Sequence, residues 1–287
     1  VATEIRLATR RSALALWQAN RVADRLRAID GTLDVTLVEI DSSGDIDRTS
    51  PVATLTEMGA FVRSVQIAVL DGRADAAVHS LKDLPTAGPD GLALVAFPER
   101  ATPWDAVVGS RLADLPPGAV IGTGSPRRIS QLHTIRPDLV TVELRGNVGT
   151  RLAKVADGTV DAAILAAAGL ERLGHADRIT ELLDVATMIP APGQGVLAVE
   201  TAEAHPHRDL FASIDDPDLR PLVEAERGLL VATGAGCRSA LGAIASWDGA
   251  TIRMDAFADE NGGPRRVAVT GATPGRVVDA ARKGLGL

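Results

Sequence analysis

The sequence predicts an α/β protein, with two α/β units followed by a small α+β domain. Over residues 4–166, short apolar runs alternate with helical stretches, the pattern of a parallel or mixed sheet with crossover helices. The proline-rich stretch Ile189-Pro190-Ala191-Pro192-Gly193 then breaks that pattern. After Asp215-Asp216-Pro217 a long helix and three consecutive strand-like runs precede a final helix.

The first strand is expected at 4–9, with Ile5 and Leu7 facing one way. Ser12 can cap a helix whose inner face repeats at Ala15, Ala19, Val22, Leu26 and Ile29. A strand at 34–40 leads into a Gly/Asp/Ser/Thr-rich loop to about residue 56, long enough to suggest function. Met58, Val62, Val65 and Val69 mark the next helix, which Gly72 stops. A buried strand at 75–79 runs straight into Ser80-Leu81-Lys82-Asp83. The second unit repeats the theme. Strands are expected at 104–109, 119–122, 139–144 and 161–166, with helices from Pro126 and along Val148, Leu152 and Val155. A returning strand at 196–200 crosses back to the first unit. In the last domain a helix runs to about Thr233, then come strands at 241–246, 251–258 and 265–270 and a helix from Pro274. The domains are therefore placed at 1–98 with 196–214, at 99–195, and at 215–287.

Composition narrows the function. Aromatic residues make up 2% and Tyr is absent, so the cores must be built from Ala, Val, Leu and Ile. The net charge of −7, from 37 acidic and 30 basic residues, argues against a non-specific nucleic-acid binder. The longest apolar runs fall well short of the ~20 residues that span a bilayer. The opening VATEIRLATR lacks a charged-then-apolar signal pattern. One cysteine cannot form an internal disulfide, which fits a reducing cytoplasm. No Cys/His set has zinc spacing, so no metal is expected.

Within this acidic chain, arginines gather beside turn residues. In Gly122-Thr123-Gly124-Ser125-Pro126-Arg127-Arg128 a strand ends in glycines, Ser125 stands at the N-cap and Pro126 at the first helical position. The first-turn N–H groups and the guanidinium forks together suit a small carboxylate or phosphate. The run is neither a Walker loop nor a GxGxxG turn, which disfavours ATP and NAD. Leu144-Arg145-Gly146-Asn147-Val148-Gly149-Thr150-Arg151 repeats the device one strand later. Neighbouring strand-to-helix turns meet at the carboxyl edge of a doubly wound sheet, where ligands bind. Taken alone, either run also reads as a well-capped helix with surface arginines. Asp83, after a buried strand, could serve as general acid/base or steady a developing cation; it could equally be a turn former beside Lys82 and Pro85. Cys237, in Gly234-Ala235-Gly236-Cys237-Arg238, reads either as a small buried hydrophobe or as an accessible thiol favoured as thiolate by Arg238.

Together these stretches resemble the porphobilinogen deaminase family. The matching segments run from Arg6 to Gln18, from Asp75 to Pro85, from Gly122 to Arg128 and from Leu144 to Arg151. They continue from Ala168 to Leu173, from Pro190 to Gly195, and at Glu226-Arg227 leading to Gly236-Cys237. The resemblance implies two hinged lobes like periplasmic binding proteins, the first discontinuous, and a third domain carrying the cysteine. It implies a transferase of haem and porphyrin biosynthesis that joins four porphobilinogen molecules into hydroxymethylbilane with loss of ammonia. A dipyrromethane cofactor is expected on Cys237, with Asp83 as the catalytic aspartate. Lys82, Ser125, Arg127, Arg128 and Arg145 are expected to bind the cofactor, and Arg10, Ser12, Thr123, Arg151 and Arg172 the substrate. A cytoplasmic monomer is implied, with porphobilinogen as its partner and neither nucleic acid nor membrane.

The chain departs from the family pattern in three places. Ala53-Thr54-Leu55-Thr56-Glu57-Met58-Gly59 lacks the lysines usual in the family's loop, with Arg48 and Arg63 as possible substitutes. Ala240 stands where a proline is usual after the cysteine, and the third domain ends early at Leu287. Two rival functions fit parts of the sequence. A two-lobed small-anion-binding protein explains the arginine turns but gives Asp83 and Cys237 no shared task. A thiol enzyme would need a histidine base, and none lies near Cys237 in sequence.

Overall fold

The computed structural model describes residues 3–41, 56–234, 239–260 and 262–287 and, of residues 56–61, the backbone alone. Cys237 and Arg238, Arg48 and residues 53–55 lie outside the described residues. The chain divides into two compact units, residues 1–100 with 196–220 and residues 101–195 with 221–287.

In chain order the first unit begins with β1 (Glu4–Arg10), α1 (Ala13–Ile29), β2 (Asp34–Ile40), α2 (Thr56–Leu70), β3 (Ala76–Ser80) and β4 (Leu92–Ala96). The second unit takes up β5 (Asp105–Gly109), β6 (Val120–Gly122), α3 (Pro126–Ile135), β7 (Val140–Val142), α4 (Val148–Ala156), β8 (Ala162–Ala166), α5 (Ala167–Arg172) and β9 (Glu181–Leu183). β10 (Leu197–Ala202) and α6 (Arg208–Ala212) return to the first unit. α7 (Arg220–Thr233), β11 (Leu241–Asp248), β12 (Thr251–Glu260), β13 (Gly263–Gly271) and α8 (Pro274–Leu285) complete the chain.

The two larger sheets share one topology. The first is ordered β2-β1-β3-β10-β4 and the second β7-β6-β8-β5-β9. In each, four strands share one direction and the strand fourth in the order runs against them: β10 is antiparallel to β3 and β4, and β5 to β8 and β9. That fourth strand is the first strand of its unit after the chain passes from one unit to the other. β4 and β9 were absent from the sequence reading.

Local chemistry explains most of the elements. The Ser12 hydroxyl accepts from the Ala15 N–H at 3.3 Å, and the Thr9 hydroxyl donates to the Ala15 carbonyl at 3.1 Å. Both bonds fix the first turn of α1 on the end of β1. Ala19, Val22 and Leu26 pack on Ile5, Leu7, Ala76 and Val78 as the helical spacing predicts. Ile29, placed on the same face by that spacing, is instead 56% exposed at the helix end. Val62, Val65 and Val69 are buried under the opposite face of the first sheet. In the second unit β7 is shorter than its apolar run, because Leu144 leaves the ladder and packs on Gly122. A Cβ at Gly122 would sit 2.8 Å from Leu144 Cδ2, so a larger residue there would have to displace the Leu144 side chain.

The C-terminal sheet, ordered β11-β12-β13, is antiparallel throughout. Ala243, Met254 and Ala256 pack against Ala225 and Leu229 of α7 and Val277, Ala281 and Leu285 of α8. Thr273 caps α8 and Pro274 takes its first position. Alanine and branched aliphatics dominate every core, as the near-absence of aromatics requires. The observed architecture is therefore mixed α/β, with two large sheets and a small C-terminal sheet-and-helix domain. No helix among the described residues is long and apolar enough to cross a membrane.

Candidate active-site residues

In the first unit the relevant side chains follow the ends of parallel strands. β1 and β3 run together, with Leu7 opposite Ala76 and Ala8 opposite Ala77, so both end at the same sheet edge. Arg10 and Ser12 leave that edge from β1, and Lys82 and Asp83 leave it from β3. Ser80 closes β3, and its hydroxyl accepts from the Gln18 amide at 2.6 Å. Residues Leu81–Asp83 form one 3-10 turn. Its backbone is held at both ends: Leu81 N–H donates to the Val196 carbonyl at 3.0 Å, and Leu84 N–H to the Leu81 carbonyl at 3.0 Å. Leu81 and Leu84 anchor the turn in the core, while Asp83 is exposed and Lys82 half-buried. A carboxylate is thus presented to solvent on a fixed backbone.

In the second unit β6, β7 and β8 run parallel; β6 and β7 end at paired residues, and β8 continues three residues further toward the same edge. Thr123 is buried, its N–H donating to the Val142 carbonyl at 2.9 Å and its hydroxyl accepting from Ser125 N–H at 3.3 Å. Ser125 is the N-cap of α3, as its position before proline predicts, although its hydroxyl makes no capping bond. Asn147 caps α4, accepting from Thr150 N–H at 2.9 Å. Gly146, at φ 108°, makes the preceding turn in a conformation that side chains resist. Arg151 donates to the Gly146 carbonyl at 2.9 Å, and exposed Arg145 pairs with Glu143 at 2.8 Å. Arg172, at the end of α5, is buried and donates to the Gly195 carbonyl at 2.7 Å.

Arg127 and Arg128 differ most from their sequence-based picture. Both are buried, at 3% and 6% exposure, rather than reaching into solvent. The cause is Asp105, fully buried at the start of β5. Because β5 runs against β8, with Asp105 opposite Ala166, its carboxylate lies at the same edge as the start of α3. One Asp105 oxygen accepts from Arg127 at 2.7 Å; the other accepts from Arg128 at 2.7 and 3.0 Å and from Gln194 at 2.9 Å. Burial by itself raises the Asp105 carboxyl, but the two guanidinium charges and their hydrogen bonds outweigh it and hold the group far below the usual carboxylate range. Arg127 also reaches the Ile189 carbonyl and Arg128 the Ile164 carbonyl, each at 2.8 Å. Two guanidinium groups against one carboxylate leave this buried group with an excess positive charge. Asp105 was legible only as a lone acid opening an otherwise apolar strand.

These positions define an α/β protein whose strand ends bring guanidinium groups, helix N-caps and one exposed carboxylate to the carboxyl edges of two like sheets. The family model "Porphobilinogen deaminase, dipyromethane cofactor binding domain" matches residues 5–209. A porphobilinogen deaminase from Acidothermus cellulolyticus is 44% identical over 97% of this chain and 86% of its own length. Porphobilinogen deaminase 1 of Streptomyces coelicolor is 47% identical over 87% of this chain and 81% of its own. A porphobilinogen deaminase from Thermobifida fusca is 49% identical over 85% of this chain and 78% of its own. The chain belongs to the porphobilinogen deaminase family. Similar solved structures include the methionine-binding protein MetQ, at a TM-score of 0.44 and 14% identity over 81% of this chain and 96% of that one.

Proposed function

We infer that the chain is a transferase that condenses four porphobilinogen molecules head to tail, releasing ammonia, to form the linear tetrapyrrole hydroxymethylbilane. The observation that carries this is the family membership, which spans both large sheets and the turn bearing Asp83. Each condensation breaks the bond between the methylene carbon of an incoming porphobilinogen and its amine, and forms one from that carbon to the free α-carbon of the terminal pyrrole already bound. Ammonia leaves, a cationic pyrrole intermediate forms, and the α-carbon finally loses its proton.

Asp83 serves that sequence as the carboxylate that steadies the cation and holds or passes the proton at its oxygens. Its exposed position on a backbone anchored by Leu81 and Leu84 supports this role. Arg10, Ser12, Thr123, Arg151 and Arg172 hold the acetate and propionate groups of the substrate. Guanidinium groups suit this task, since each ring brings two carboxylates.

The family model describes a dipyrromethane-binding domain, and the donor set here fits such a group. Lys82, Ser125, Arg145 and the buried pair Arg127 and Arg128, with its excess positive charge, are suited to its acid side chains. The tether is a thioether to Cys237. Bound there, the dipyrromethane supplies the free pyrrole α-carbon on which the chain starts. The enzyme acts as a cytoplasmic monomer that needs neither nucleic acid nor membrane.

Turnover tests the reading. The purified protein given porphobilinogen should consume it and yield hydroxymethylbilane, detected as uroporphyrin after acid and oxidation. Binding without consumption would identify a two-lobed anion-binding protein instead.

A further inference from the structure

A second buried polar group lies in the first unit, directly behind the turn that carries Asp83. His79, the penultimate residue of β3, places Nε2 2.9 Å from a Glu200 carboxylate oxygen, with both side chains 6% exposed. Glu200 sits on β10, where Ala198 is opposite His79 and Glu200 opposite Ala77. His79 and Glu200 are therefore diagonal neighbours on one face of an antiparallel pair. From α2, the buried Gln66 amide donates to both Glu200 oxygens, at 2.9 and 3.2 Å. Three elements thus meet through polar side chains on the face whose other buried residues are Ala8, Val65, Ala68, Val69 and Ala77.

Stability alone gives no reason to retain such a group, because well-packed apolar side chains of similar volume hold a core at least as well. What the polar group adds is directional: the Gln66 hydrogen bonds orient the Glu200 carboxylate, and its close approach to the His79 imidazole favours one placement of the strand end, where aliphatic contacts let it slide. The strand end so fixed is His79-Ser80, and the next three residues are Leu81, Lys82 and Asp83. Ser80 is held independently from the other face by Gln18 of α1. The last two residues of β3 are therefore clamped from both sides of the sheet.

We propose that His79, Glu200 and Gln66 are positioning residues that set the placement of Asp83 for the condensation. None reaches the reacting atoms; each acts through the backbone of β3. The proposal rests on the role given to Asp83 above. His79→Gln and Glu200→Gln keep a polar side chain of similar size; the first changes its shape, and the second removes the charge and puts an NH2 donor in place of one acceptor oxygen. In the holoenzyme each should lower kcat at least tenfold while KM changes less than twofold. The variants should stay folded at the assay temperature, any fall in thermal midpoint being too small to account for the loss of kcat. Dipyrromethane occupancy by intact mass should stay at the wild-type level. Combining the two should cost less than the product of their separate effects, since both act through one contact. Unaltered kcat in folded variants would overturn the proposal. So would a fall in kcat that merely tracks a loss of thermal midpoint, or failure of both variants to fold, since either marks a structural role. An Asp83→Ala control separates the two readings: if that variant turns over normally, the role of Asp83 fails, whatever His79 does.

Discussion

Asp105 and Arg127 form a 2.7 Å ion pair in the interior of the second unit, with side chains 0% and 4% exposed. Arg128 shares the same carboxylate. Removing one partner of such a pair leaves buried charge uncompensated, which costs roughly 3–5 kcal/mol. Asp105→Asn should therefore lower the unfolding free energy by about that amount in urea titrations at neutral pH. It should also reduce dipyrromethane occupancy, because the start of α3 loses the group that orders its guanidinium pair.

The same carboxylate sets an acid limb. Its folded pKa is depressed, so its contribution is complete above the unfolded value of about 3.9 and is lost as pH falls toward the folded one. Unfolding free energies measured from neutral pH to below pH ~3 should show the gap between wild type and Asp105→Asn narrowing only at the acid end. A gap that closed near neutrality would contradict the pairing.

Arg145 offers the opposite case. It is exposed and pairs with an equally exposed Glu143, a contact worth at most about 1 kcal/mol. Arg145→Ala should leave the thermal midpoint almost unchanged while reducing dipyrromethane retention, followed by intact mass. Destabilisation with retention intact would mean that Arg145 is structural.

How far the sequence could be read follows from the range of each interaction. Ser12 and Asn147 bond to residues three positions on, so local spacing revealed both caps. The returning strand was visible through the prolines before it. β9 is only three residues long, too short for periodicity, and β4 was missed beside its turn-rich flank. Asp105 lies 22 residues from Arg127, and Glu200 is 134 residues from Gln66. No local pattern encodes such meetings, so Arg127 and Arg128 read as an anion-binding pair without their buried Asp105 partner, and the polar group behind Asp83 has no sequence signal. Asp83 itself stands at the strand end where its motif placed it.

Glu226, wholly buried on α7, accepts the N–H groups of Gly193 at 2.7 Å and Ala245 at 2.8 Å. It ties the proline-rich stretch to the C-terminal sheet within the second unit. Glu226→Ala orphans both donors, at roughly 1–3 kcal/mol for each. Hydrogen exchange at the Gly193 and Ala245 amides should accelerate in that variant, whereas Glu226→Gln, which keeps one acceptor oxygen, should leave only one of the two amides protected.

Gly146 holds φ 108°, and a Cβ there would lie 2.9 Å from the Thr150 side chain. Gly146→Ala should destabilise the protein by about 1–3 kcal/mol. KM for porphobilinogen should rise as well, since the turn positions Arg151 through its carbonyl. An unchanged KM would separate Arg151 from substrate binding.

The most direct test of the central claim is the intact mass of the purified protein before and after brief exposure to porphobilinogen. The account predicts a resting mass above the sequence mass by one dipyrromethane, then a ladder of increments each equal to porphobilinogen less ammonia. Cys237→Ser should abolish both. An active protein of unmodified mass, with no ladder, would contradict it.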